Sequence, residues 1–116
     1  MKRFNNAILF AIAGFLYFIL TERNGKLQFV AGILAIIAGI ALNITTTEWC
    51  LIACCIASVL SLELMNSTIE QLCNLIQPGY HHTIKNIKDM AAAAVLLTAL
   101  SSVIIGSCIF LPKFIK

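Results

Sequence analysis

The chain is 116 residues long, 60% hydrophobic and 11% charged, with a formal net charge of +3 and a mean hydropathy of +0.96. A single domain this small cannot hide so much apolar side chain from water, because small chains keep a high ratio of surface to volume. That excludes a soluble fold, and the scattered cations, with no basic stripe interleaved with aromatics, argue against a nucleic-acid partner.

The first element expected is a helix over Asn6–Leu20, preceded by Lys2 and Arg3 and interrupted by Gly14. The basic start and the run Ala7–Leu20 look like the first parts of a signal peptide. No small-x-small site follows, and the run ends in Thr21-Glu22-Arg23-Asn24, so it is expected to be retained. It is short for a span and is read as a helix lying in the membrane interface. A tilted fourth span is the alternative.

Three later runs are long enough, or nearly so, to cross ~30 Å of hydrocarbon at ~1.5 Å per residue. They are Leu27–Ile44, Trp49–Ile69 and Ala91–Leu111. Between the first two, Asn43-Ile-Thr-Thr-Thr-Glu48 suits a turn followed by a helix cap. Trp49 then falls where an interfacial aromatic belongs. Pro112 is expected to stop the last span, with Lys113 and Lys116 as headgroup anchors. Residues 1–116 thus form one all-α membrane domain. Its polar segments with Lys2, Arg3, Arg23, Lys26, Lys85 and Lys88 share one side, expected to be cytoplasmic.

Cys50, Cys54, Cys55, Cys73 and Cys108 form no C-x-x-C pair, and most lie in apolar stretches. They read as small hydrophobes with free thiols rather than as zinc ligands or disulfides.

The second span carries the chemistry. Glu63, Asn66, Ser67 and Glu70 recur at i, i+3, i+4 and i+7, so they share one helical face. An ionisable group at membrane depth costs at least ~2.5–3.5 kcal/mol and marks a functional site. The expected topology gathers Glu22, Glu63, Glu70, Lys85, Lys88, Asp89 and the loop Gln77-Pro-Gly-Tyr-His81-His82 at one interface, while Glu48 lies on the other side as a cap. Magnesium binds through one or two carboxylates plus phosphate oxygens, which Glu22 and Glu70 could provide. Lys88 could meet a phosphate as a point charge. Glu63, deeper and partly desolvated, suits a general base. Metal and lysine on a nucleotide, with a carboxylate on an acceptor hydroxyl, amount to phosphoryl transfer at a membrane surface. No Walker or kinase glycine-rich loop is present.

At these residues the chain resembles a known family. Glu63-Leu-Met-Asn66-Ser67-Thr-Ile-Glu70, then Lys88-Asp89-Met-Ala-Ala-Ala-Ala-Val-Leu, is similar to the signature of the prokaryotic diacylglycerol kinases, which include the undecaprenol kinases. The resemblance covers nearly the whole chain, with Gly14 and Glu22-Arg23-Asn24 included. It implies a homotrimer of protomers with one interfacial amphipathic helix and three transmembrane helices, and active sites between protomers. It implies Glu63 as the base on the lipid hydroxyl, and Glu22 and Glu70 as ligands of Mg2+ with ATP. Lys88, Asp89, Gly79, Tyr80, His81 and Arg3 match nucleotide contacts. Asn66 matches an orienting amide, and Asn24 and Gln28 lie in the stretch matched to the substrate. Asn74 stands where the family usually has Asp, Thr68 where it has Ala, and Gln28 where undecaprenol kinases often have His.

The function expected is transfer of phosphate from ATP to a membrane lipid alcohol, at the cytoplasmic face of the inner membrane. Diacylglycerol, giving phosphatidic acid, is the first choice of acceptor and undecaprenol the second. Glu22-Arg23-Asn24 and the Ile-Phe-Leu-Pro-Lys ending look like the undecaprenol branch. A small oligomeric transporter with one intramembrane glutamate is the non-enzymatic alternative. It would need neither Tyr80-His81 nor Lys88-Asp89 beside the membrane.

Overall fold

The computed structural model of the chain describes residues 2–115. Four helices follow one another: α1 (Lys2–Thr21), α2 (Arg23–Ala41), α3 (Thr46–Ile76) and α4 (His82–Ile115). All four are long and apolar enough to cross a membrane. α3 is central: α2 and α4 both pack on it, and they make no close approach to each other among the described residues. Only the second half of α1 meets the bundle, and Arg3–Ala13 are exposed.

Local chemistry explains the boundaries. Glu22 is extended (φ −98°, ψ 126°) and is the single residue between α1 and α2. Phe18 fills the fold-back there. It is 3% exposed, and a Cβ on Gly25 would lie 2.8 Å from its ring. α2 stops three residues earlier than its apolar run, since Asn43 takes a left-handed conformation (φ 51°) that asparagine tolerates better than most residues. The Ile44 amide then donates to the Gly39 carbonyl at 3.2 Å.

α3 opens as expected, with a reciprocal cap. The Glu48 amide donates to Thr45 Oγ1 at 3.2 Å, and the Thr45 amide to Glu48 Oε1 at 2.9 Å. The helix ends at Gln77, because the residue before Pro78 is pushed out of helical space.

The Lys85–Asp89 segment lies in the first turns of α4, ahead of the apolar run Ala91–Leu111; the Lys85–Asp89 ion pair at 2.6 Å supports those turns. Pro112 lies inside α4 rather than ending it; it forgoes the N–H bond to the residue four before it, a loss that membrane helices tolerate where other groups satisfy the freed carbonyl. Lys113 reaches Glu48 at 3.3 Å and so ties the end of α4 to the start of α3. Lys116 lies outside the described residues. Trp49 is half-buried, with its ring against Gly39 and Ile44.

α2 meets its neighbours through glycines seven residues apart. Its buried residues are Gly25, Gly32 and Gly39, which receive Phe18, Ile56 and Trp49. Small residues let helix backbones approach closely where water does not drive packing. The core is slight: Ile44, Ile52 and Ile109 form its centre, and no large side chain among the described residues is fully buried. The molecule is a slab of 53 × 42 × 20 Å. Its broad faces expose leucine, isoleucine and phenylalanine, as expected where lipid or another protomer replaces water.

Candidate functional site

The stripe on α3 behaves as its spacing requires. Glu63, Asn66 and Ser67 are buried at 4%, 8% and 7% exposure. They are the only buried polar side chains among the described residues. Glu70, one turn further towards the end of α3, is exposed. From Glu63 to Glu70 the helix rises about 10 Å, so the stripe runs from an apolar depth to a polar surface. α3 spans 31 residues, roughly 46 Å, and its last turns project beyond ~30 Å of hydrocarbon.

Two buried acceptor atoms have no hydrogen-bond partner among the described residues: Glu63 Oε2 and Asn66 Oδ1. Such groups are costly unless something else engages them. Gln71, the residue after Glu70, holds Glu22, and Glu63 lies about two turns deeper on α3, so three acids from the α1–α2 junction and α3 lie at one end of the bundle. No cation lies in an ion pair with any of them among the described residues. Mutually repelling acids of this kind call for a proton or a cation between them.

Glu22 is half-buried and is fixed from α3. Gln71 Nε2 donates to Glu22 Oε1 at 3.1 Å. Beside this bond, a hollow of about 320 Å³ opens between α1 and α3, lined by Gly14, Phe15, Glu22, Ser67, Thr68 and Gln71. Thr68 turns its hydroxyl onto the Leu64 carbonyl at 2.8 Å, which leaves its methyl group to the surroundings. Among the described residues no three His, Cys, Asp or Glu side chains form a metal cage. Magnesium does not require one, because phosphate and water oxygens complete its shell around one or two carboxylates.

The α3–α4 hairpin supplies the positive charge. Lys88 is half-buried and donates to Asn74 Oδ1 at 2.5 Å. Asp89 is engaged by Lys85. In the connecting loop Gly79, Tyr80 and His81 are exposed, and a side chain at Gly79 would meet nothing. The His81 Nδ1 accepts from the Thr83 amide at 3.2 Å, which steadies the first turn of α4.

Not every expected residue is gathered. Arg3 is exposed at the start of α1, a helix length of roughly 28 Å from Glu22, so one chain does not bring it to the acids. Asn24 is exposed at the start of α2. Gln28, half-buried, lines a separate apolar groove of about 270 Å³ between α2 and α4. Gln71 is a contact the motif did not name, and Asn74 stood out there only as a departure from the family pattern. Their signal was present, since they continue the stripe of Ser67 and Glu70 at i+4.

Comparison with known proteins finds a matching family and similar chains. The family model described as prokaryotic diacylglycerol kinase matches residues 9–110. An undecaprenol kinase of Bacillus subtilis is 37% identical over 113 residues, 97% of this chain and 92% of that protein. A diacylglycerol kinase of Synechocystis is 35% identical over 108 residues, 92% of this chain but 62% of that protein.

Proposed function

Since the chain belongs to the prokaryotic diacylglycerol kinase family and is a lipid kinase of the membrane, we propose that it transfers the γ-phosphoryl group of ATP to undecaprenol, with diacylglycerol as the second acceptor. The observation that carries the chemistry is the buried Glu63 carboxylate, whose Oε2 has no partner among the described residues. The match to an undecaprenol kinase over 97% of this chain and 92% of that protein supports undecaprenol as the first acceptor.

Glu63 accepts the proton of the lipid hydroxyl as that oxygen attacks phosphorus. Asn66, one turn along the same face, offers its amide to the phosphate or the acceptor. Glu22 and Glu70 would hold Mg2+, which when bound neutralises nucleotide phosphate charge. That assignment fits the donor set: two carboxylates near a third, with no ion-paired cation among the described residues. Lys88 meets the transferring phosphates, and Gly79, Tyr80 and His81 border the nucleotide. The hollow between α1 and α3 suits the acceptor's polar head, with its chain leading into lipid.

The same proposal includes a homotrimer in a cytoplasmic membrane, with α1 in the interface. Exposed apolar faces and the slight core support assembly. Arg3, a helix length from Glu22, fits a site completed by another protomer. α1 separates its polar and apolar residues more than the other helices do. Arg23, Lys26, Lys85 and Lys88 share the end of the bundle that holds the acids, which supports a cytoplasmic site. Phosphorylation of undecaprenol and of diacylglycerol by the purified protein in lipid vesicles tests the reading. A higher kcat/KM for undecaprenol is expected; transfer to neither lipid would overturn it.

A further inference from the structure

The two lysines of the α3–α4 hairpin are held differently. Lys85 faces a carboxylate, Asp89, at 2.6 Å. Lys88, one turn along α4, faces the neutral amide oxygen of Asn74 at 2.5 Å. An amide oxygen fixes an ammonium group without cancelling its charge, and it takes one of three N–H donors. The other two, and the full positive charge, are left for an anion. Asp89, the nearest acid in sequence, is occupied by Lys85 and does not neutralise Lys88.

Position completes the argument. Asn74 lies four residues beyond Glu70 on the same stripe of α3, a rise of about 6 Å. Its bond bridges the last turns of α3 and the second turn of α4, across the exposed loop. A long, flexible lysine would otherwise spread over many rotamers, at a cost in order whenever a ligand fixed it. We infer that Asn74 is a positioning residue, which holds the Lys88 ammonium one turn from Glu70 so that it meets the phosphates of a nucleoside triphosphate. This rests on the proposed role of Lys88.

Equilibrium binding of Mg·ATP to the full-length protein in vesicles tests it, with lipid phosphorylation by the wild type as the reference. Asn74→Ala should weaken Mg·ATP binding roughly tenfold, the scale of one hydrogen bond to a charged group. Asn74→Gln, whose amide oxygen can still accept from Lys88 without cancelling its charge, should recover part of the loss. In a Lys88→Met background, Asn74→Ala should add nothing, because the two act as one unit. Wild-type affinity in Asn74→Ala would overturn the inference. So would an equal loss with and without Lys88, or a Gln variant as weak as the Ala variant. Any of these alongside intact wild-type phosphorylation defeats the inference alone; a wild type that neither binds ATP nor phosphorylates lipid defeats the kinase reading as well.

Discussion

Gln71 Nε2 lies 3.1 Å from Glu22 Oε1, and that bond ties the break between α1 and α2 to the face of α3 that carries Glu63 and Glu70. Glu22 makes no side-chain bond to cap its own helix, so its carboxylate is aimed from the opposite element. Gln71→Ala should therefore raise the Mg2+ concentration needed for half-maximal rate by roughly three- to tenfold, with little change at saturating Mg2+. A magnesium titration of the phosphorylation rate reads both.

Glu70 is exposed and Glu63 is buried, and their substitutions should separate accordingly. Glu70→Gln is expected to weaken metal-dependent nucleotide binding and nearly abolish turnover while the oligomer stays intact. Chelation of divalent cations should do the same to the wild type. Binding assays with and without chelator, beside size measurement in mild detergent, check this.

Glu63→Gln keeps the shape of the side chain but cannot take a proton. ATP should still bind, while the rate of lipid phosphorylation falls by ~10²–10⁴, the usual scale for a lost general base. Loss of ATP binding with turnover near wild type would reverse the roles given to Glu63 and Glu70.

Much of this was legible in the chain. The i, i+3, i+4, i+7 spacing of Glu63, Asn66, Ser67 and Glu70 already placed them on one face, and the first three are buried along it. Thr45 and Glu48 announced the start of α3 through their own side chains. Helix ends elsewhere were harder, because an apolar run measures contact with lipid rather than the extent of hydrogen bonding. Lys85–Asp89 is polar yet helical, and Asn43 ends α2 inside an apolar stretch. Gln71 and Asn74 gain meaning only from partners 49 and 14 residues away, which no local pattern names.

The glycines of α2 offer a paired test. At Gly39 a Cβ would lie 2.7 Å from the Trp49 ring and 3.0 Å from Ile44; at Gly25 it would strike Phe18 beside Glu22. Gly39→Val and Gly25→Val should each destabilise the fold by about 1–3 kcal/mol, the usual cost of overpacking. Below the melting transition, Gly39→Val should retain its activity, whereas Gly25→Val should lose much of it by displacing Glu22. Thermal denaturation and kcat on the same preparations distinguish them.

Glu48 and Glu63 stand on one unbroken helix, about 22 Å apart along its axis, and the Lys113 contact holds the Glu48 end against α4. α3 is therefore a rigid gauge that measures depth from the far surface of the membrane. With Glu48 at the far surface of a bilayer with ~30 Å of hydrocarbon, Glu63 would lie roughly 8 Å below the near surface. Thicker host lipids would submerge it away from the nucleotide, and thinner ones would lift it out among the headgroups, unless the helix tilts. The rate of phosphorylation should accordingly pass through an optimum as the acyl chains of the host vesicle are lengthened.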